Sequence, residues 1–509
     1  MNNRTLTLAL ATIPFALSVQ AGQSKKSQKP RNVIFILSDD HRYDFMGFTQ
    51  KVSWLKTPNL DYLAQNGAHI RNAFVTTALS SPSRASILTG LFSHEHKIVD
   101  NEAPLTPGLT FFPSYLQKNG YKTAFFGKWH MGNTDDAPQP GFHHWESFKG
   151  QGSYFKVAMN VNGKQVVYPD SAYISDLLTS HAENWIKENK QKPFFVYLSH
   201  KAVHDDFSAS KKHAGAYKNK PIPYPASFNN PNYGIPRLPF SADSLKSPLT
   251  GNQWYGVDMK PDWVKNQRES WHGVDYAYHG RKKFEDEFRK YCESLTSLDE
   301  SIGNLLNFLK QENLDENTLI IYMGDNGFCW GEHGLIDKRQ AYEESIRVPL
   351  LAYCPGYIKP GITIDNMVQN IDIAPTIMDF TGLKKKKHMR GESFLPLLKG
   401  ETVKDWRTTL YYEYFWEYDY PQTPTTFSVR TDRYKYIRYY GIWDTNEFYD
   451  LQNDPNELHN LINEPLLQPV IKQMAHQLYD WLENTNGMQI PLKRTVKSRY
   501  GDHRNKSSM

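Results

Sequence analysis

The sequence predicts an α/β fold: a large mixed, mostly parallel sheet flanked by helices, with a smaller C-terminal α+β subdomain containing an antiparallel sheet. Three observations predict it. Continuous apolar runs of strand length recur along the chain, amphipathic helical segments lie between them, and beyond about Glu401 the pattern turns to Tyr-rich alternation.

Taken in order, Met1 to Ala21 carries one early cation, Arg4, an apolar stretch from Leu6 to Val19 and a small-residue end at Val19-Gln20-Ala21. That is the layout of a secretory signal peptide. A membrane anchor is the competing reading, but the stretch falls short of the roughly 20 residues needed to span and contains Pro14. Residues 22–31 read as a basic linker. Asn32 to Leu37 (NVIFIL) is apolar throughout, as in a strand covered on both faces. Phe194 to Leu198, Leu319 to Met323 and Val348 to Tyr353 repeat that pattern. Thr57 to Ala68, Ala172 to Asn189 and Asp286 to Glu312 read as helices; in the last, Leu295, Leu298, Ile302, Leu305, Leu306 and Leu309 recur near the helical period. The region from about 205 to 280 lacks periodicity and is expected to run over the surface. Lys384 to Lys387 reads as a solvated loop. The expected organisation is therefore signal peptide 1–21, linker 22–31, catalytic α/β domain 32–400, C-terminal subdomain 401–490 and polar basic tail 491–509.

Composition excludes several classes. The chain has 509 residues, 14% of them aromatic, which is not the make-up of a disordered protein. Its mean hydropathy of −0.63 excludes a multispanning membrane protein. A formal charge of +5 over this length is too dilute for a dedicated nucleic-acid binder. Cys292, Cys329 and Cys354 show no metal-ligand spacing and read as buried thiols, although one disulfide stays open.

In open α/β sheets ligands bind beyond the carboxyl ends of the strands. Ser38-Asp39-Asp40-His41 follows the first apolar run, and Gly324-Asp325-Asn326-Gly327 follows the third. Four oxygen-bearing side chains at two strand ends suit Ca²⁺ or Mg²⁺, whereas each group alone is equally turn chemistry. Ser80 and Ser83 are good helix starters, and a helix start there would also aim its N–H groups and positive dipole end at an anion.

The segment Ser80-Ser81-Pro82-Ser83-Arg84-Ala85-Ser86-Ile87-Leu88-Thr89-Gly90 resembles the signature of the formylglycine-dependent type I sulfatases of the alkaline phosphatase superfamily. Pro at the second position after Ser80 and Arg at the fourth set the register on Ser80. The resemblance extends over Asp39-Asp40, Gly127 to Gly132 (GKWHMG), Val203-His204, Asp325-Asn326 and Gly331-Glu332-His333-Gly334 with Asp337-Lys338-Arg339. It is closest to the bacterial serine-type N-acetylglucosamine-6-sulfatases. The resemblance implies one Ca²⁺ held by Asp39, Asp40, Ser80, Asp325 and Asn326, with Ser80 oxidised to formylglycine by a radical S-adenosylmethionine maturation enzyme. It implies that Arg84 holds the hydrated aldehyde, Lys128 and Lys338 grip sulfate, His130 accepts a proton and His204 protonates the leaving oxygen. A periplasmic or cell-surface bacterial enzyme acting on a sulfated glycan is implied, with no nucleic-acid partner and no membrane segment after signal cleavage. Within the C-terminal part, 13 of the 33 residues from Tyr411 to Trp443 are aromatic. Trp416, Glu417 and Asp444, with His333, are therefore candidates to hold a sugar ring. A phosphodiesterase or phosphonate hydrolase of the same superfamily, a sulfatase for another sulfate position and a non-catalytic glycan binder are the competing readings.

Overall fold

The computed structural model describes residues 31–132, 135–228, 260–268, 270, 272–275 and 283–491. The expected signal peptide, nearly all of the linker and tail, and much of the 205–280 region lie outside the described residues. Ten strands build the main sheet. They are β1 (Asn32–Ser38), β2 (Ala68–Ile70), β3 (Lys122–Lys128), β4 (His144–Phe148), β5 (Ala158–Val161), β6 (Lys164–Val167), β7 (Phe194–Ser199), β8 (Thr318–Gly324), β9 (Leu350–Tyr353) and β10 (Ile362–Ile364). Their spatial order is β10-β2-β9-β8-β1-β7-β3-β4-β5-β6.

The five central strands, β8-β1-β7-β3-β4, are parallel. β1 is buried along its whole length because helices cover both faces of the sheet. Successive side chains point to opposite faces, so Val33, Phe35 and Leu37 enter one core while Ile34 and Ile36 enter the other. The second core is closed by α1 (Pro58–Asn66), α3 (Ile174–Asn189) and the long α5 (Phe284–Gln311). In α5 the six apolar positions from Leu295 to Leu309 are all buried, and Glu285, Asp286 and Glu287 complement the dipole of its first turn. The first core encloses α2 (Ser80–Thr89), all of whose residues are buried. β9, drawn from one of the predicted apolar runs, is antiparallel to β8 and to β2. Parallel order thus holds at the centre and gives way toward both edges, where β5 and β6 are also antiparallel.

A second sheet of four antiparallel strands follows: β11 (Thr409–Tyr414), β12 (Thr425–Thr431), β13 (Tyr434–Tyr440) and β14 (Glu447–Asp450). Its apolar face, with Phe427, Val429, Tyr436 and Phe448, packs on Leu478, Trp481 and Leu482 of α6 (Gln468–Asn484). Tyr412 Oη donates to the carbonyl of Arg339 at 2.7 Å, and Glu413 N donates to Thr76 O at 2.9 Å. The C-terminal sheet thereby holds two segments that lead into the strand-end cluster described next. The three cysteines are buried and unpaired. No helix among the described residues is long and apolar enough to cross a membrane.

Candidate active site

Strand register creates the site. Ser38 of β1 sits opposite Gly324 of β8, so the residues that follow, Asp39-Asp40 and Asp325-Asn326, emerge side by side although 285 residues separate the two segments. On the other side, Gly127 of β3 pairs with Ser199 of β7. Gly127 has φ +110, and a Cβ there would lie 1.8 Å from Ser199 O, so only glycine lets the two strands close. Lys128 then leaves the end of β3 level with the aspartates. α2 begins at Ser80 and stops at Gly90, whose φ of +70 suits a left-handed C-cap. Its N-terminus brings Ser80 Oγ to 3.2 Å from Asp39 Oδ1 and 3.4 Å from Lys128 Nζ.

Each of the three buried carboxylates has a cation of its own. Lys128 Nζ pairs with Asp39. Lys338 Nζ donates to both oxygens of Asp40, at 2.6 and 2.7 Å. Arg84 donates through Nε and Nη2 to Asp325 Oδ2 at 3.0 and 2.8 Å. Its remaining arm donates to Lys128 O at 2.7 Å and Ser199 Oγ at 2.6 Å. Asn326 Nδ2 donates to Asp40 Oδ1 at 2.8 Å, while its buried Oδ1 finds no hydrogen-bond partner. His204 Nε2 stands 3.8 Å from Asp40 Oδ2. His130 holds a left-handed backbone, φ +53, and its buried Nδ1 is also without a partner.

Charge crowding is visible in the acid–base properties. Burial alone would raise Asp39, but Lys128, His204, Arg84 and Lys338 hold its carboxyl well below the usual range. Burial pushes Asp40 up to about 7, with Asp39 and Asp325 adding to the push and Lys338 opposing it. Burial brings Lys128 down to about 8 despite Asp39. His130 and His204 are lowered by burial and then by the neighbouring cations, which favours the neutral rings. A neutral imidazole suits a proton acceptor, and an anion that offset Lys338 and Lys128 would raise the His204 ring.

The donor set fits a hard divalent cation: three carboxylates, an orphaned amide oxygen and the Ser80 hydroxyl converge, all oxygen and all buried. Asp39, Asp40 and His204 also lie close enough together to share one ion.

A protein-family model described as Sulfatase matches residues 31–383. The chain belongs to the sulfatase family. A second model, N-sulphoglucosamine sulphohydrolase, C-terminal, matches residues 331–484. Over 501 residues the sulfatase is 34% identical to an N-acetylglucosamine-6-O-sulfatase of Bacteroides thetaiotaomicron, covering 91% of this chain and 88% of that one. It is 30% identical to the human N-acetylglucosamine-6-sulfatase, covering 77% of this chain and 68% of the relative. Among solved structures it is similar to one in complex with its substrate D-glucosamine-2-N,6-O-disulfate, with a TM-score of 0.76, 31% identity and coverage of 91% and 99%. The sulfatase is a sulfuric ester hydrolase, and its family generally uses formylglycine and a divalent metal.

The four substrate-binding candidates are placed differently from one another. Glu417 is buried, and its Oε1 accepts from Arg339 Nε at 2.7 Å and from Tyr414 Oη at 2.9 Å, one residue from Lys338. His333 stacks on Tyr342 with ring centroids 3.9 Å apart. Trp416 is half-exposed and donates to Pro421 O. Asp444 accepts from the backbone N–H groups of Asp262 and Trp263 at 3.0 and 2.9 Å, which fixes the start of α4 (Asp262–Gln267). No hydrogen bond joins His333, Trp416 or Asp444 to the strand-end cluster among the described residues.

Sequence reasoning gave no role to Ser199, Gln151 or Arg339, although it named Glu417, the partner of Arg339. Gln151 Oε1 accepts from Lys128 Nζ at 2.5 Å. Arg339 lies 3.8 Å over the Tyr420 ring and pairs with Asp337, which pairs in turn with His272 at 3.0 Å. Ser199 closes an apolar run, so the rule that pointed to Asp39 also points to it. Gln151 lies in a loop with no such signal.

Proposed function

We propose that this sulfatase removes the 6-O-sulfate from glucosamine or N-acetylglucosamine residues of heparan- or mucin-type glycans. The observation that carries the reading is the 34% identity, over most of both chains, to a bacterial N-acetylglucosamine-6-O-sulfatase. A substrate-bound neighbour of the same fold supports it.

In this reading Ser80 is oxidised to formylglycine by a radical S-adenosylmethionine maturation enzyme, and Asp39, Asp40, Asp325, Asn326 and the residue-80 side chain hold one Ca²⁺. A bound ion would supply Lewis-acid charge toward sulfate, and a hydrated aldehyde at residue 80 would supply two hydroxyls on one carbon, so that sulfate could be released without a stable ester. Arg84 fixes the residue-80 side chain from the Asp325 side. Lys128 and Lys338 turn from Asp39 and Asp40 to the bound sulfate, where they stabilise charge that grows in the transition state. Neutral His130 takes the proton from residue 80. His204, with its Nε2 toward the Asp40 side and its Nδ1 2.8 Å from Asp205 O, gives a proton to the departing sugar oxygen. Asp337 and Arg339, next to Lys338 and backed by Glu417 and Tyr420, grip the sugar hydroxyls. Residues 1–21 direct export to the periplasm or cell surface.

A panel of sulfated monosaccharides tests the substrate. Release from 6-O-sulfated N-acetylglucosamine is expected. Release only from 3-O-sulfated galactose or 2-O-sulfated uronic acid would sink the assignment, and turnover of phosphate diesters in preference to sulfate esters would sink the class. Mass spectrometry of the Ser80 peptide from the native host is expected to show the loss of two hydrogens; an active preparation with intact Ser80 would defeat the formylglycine mechanism.

A further inference from the structure

A second cluster of metal-ligating side chains lies outside the strand-end site. His333, Glu344 and Glu457 are all buried, and one ligand atom from each falls within 4.8 Å of the others. His333 comes from the turn ahead of Lys338, Glu344 from the short helix Glu343–Ile346, and Glu457 from the loop after β14. The cluster therefore spans the joint between the main sheet and the C-terminal sheet.

Its atoms are under-satisfied. Both ring nitrogens of His333 are buried without a hydrogen-bond partner, and so is Glu344 Oε2. The neighbouring cations leave His333 and Glu344 without an ion-pair partner among the described residues. Arg42 is held by Asp44 and by Glu332, at 2.5 and 2.7 Å. Arg430 is held by both oxygens of Glu343, at 2.9 and 3.1 Å. Lys435 Nζ bridges Glu343 and Glu457 at 2.9 and 2.8 Å. Among the described residues no ion pair reaches Glu344.

We propose that His333, Glu344 and Glu457 form a second metal site for a divalent transition ion, with Zn²⁺ as the matching probe. One imidazole nitrogen and two carboxylate oxygens are ligands that Zn²⁺ accepts, with one coordination position left for water. The surroundings suit that use. Glu457 is backed by Lys435 and by the Glu343 backbone N–H at 2.7 Å, the kind of outer-shell support that orients a metal-binding carboxylate. Stacking on Tyr342 at 3.9 Å fixes the His333 ring. Burial, then Lys260 and Lys435, lower the His333 ring toward its neutral, metal-binding form, while burial and Glu332 push Glu344 up to about 8, so an ion here must displace a proton from Glu344. The competing occupant is a proton shared by Glu344 and His333.

The test uses the full-length protein, stripped with chelator and then saturated with Ca²⁺ so that zinc cannot settle on the Asp39 site. Metal content and Zn²⁺ titration are measured for wild type, Glu344→Gln, His333→Ala and Asp325→Asn. One zinc per chain is expected in wild type and in Asp325→Asn. In Glu344→Gln and His333→Ala the affinity should fall by more than the roughly 10–100-fold that loss of an outer-shell partner causes. Zinc should raise the melting temperature of wild type and leave Glu344→Gln unmoved. Glu344→Gln keeps side-chain shape, so it reports on the site if His333→Ala does not fold. No zinc on the Ca²⁺-saturated wild type, or zinc lost only in Asp325→Asn, overturns the proposal and leaves the shared proton.

Discussion

The two buried charge clusters, one at the strand ends and one at the joint with the C-terminal sheet, are built differently. At the strand ends each carboxylate has one close cation, Asp39 with Lys128, Asp40 with Lys338 and Asp325 with Arg84, and Arg84 also stands 3.8 Å from Asp39. At the joint with the C-terminal sheet the partners are shared, since Lys435 serves Glu343, Glu457 and the carbonyl of Ala341 together. Such pairs can change partner when a sulfate and a metal arrive, because each cation gives up a close ion pair with only one carboxylate. A shared cation cannot leave without stranding several buried groups. The first arrangement suits chemistry, and the second suits holding a loop in place.

Experiment can test that contrast. The largest effect is expected for Ser80→Ala, which should lower kcat by roughly 10⁴–10⁶-fold in a protein that melts like wild type, because nucleophile loss is not additive with the rest of the site. Lys435→Met should show the reverse pattern. Leaving Glu343 and Glu457 buried without their ammonium should cost about 3–5 kcal/mol in a denaturant titration. The surviving folded fraction should keep more kcat than a strand-end variant. Lys128→Ala and Lys338→Ala should each lower kcat by about 10²–10³-fold, the typical loss of one charge-stabilising group. If Lys128→Ala unfolds the protein while Lys435→Met only slows it, the distinction between the clusters fails.

The smallest effect concerns His94 and Glu413, which tie the main unit to the C-terminal sheet at 2.7 Å. Burial would lower His94, but Glu413 outweighs it and the pKa is raised. A raised histidine contributes stability that is complete below the unfolded value of about 6.5 and is lost as pH rises through the folded value. Wild type should therefore lose melting temperature as pH climbs above about 6.5, and Glu413→Gln should flatten that part of the curve.

Much of this was legible in the sequence. Apolar runs located the central strands, and the rule about strand ends led to Asp39, Asp40, Asp325 and Asn326. Direction was not legible: an apolar run such as Val348 to Tyr353 reads the same whether its strand is parallel or antiparallel, and here it is antiparallel to β8. Long-range capping was not legible either. Asp444 follows an aromatic stretch and looks like a sugar ligand, yet its carboxylate is spent on a helix start 182 residues earlier in the chain. Local composition carries no record of such a partner. The same holds for His333, whose place before Lys338 suggested the substrate pocket, while its ring lies on Tyr342 among glutamates.

Gly127 has a consequence for reading genomes. Nothing polar at that position takes part in any reaction, yet a methyl group there would meet a carbonyl oxygen at 1.8 Å. A gene copy that kept Ser80, Arg84, both lysines and all the aspartates, but carried alanine at this one position, would pass a check of motif residues. Its two central strands could not close, so it would be a silent copy. The residue with no side chain is therefore as good a marker of a working gene as those that carry the charge.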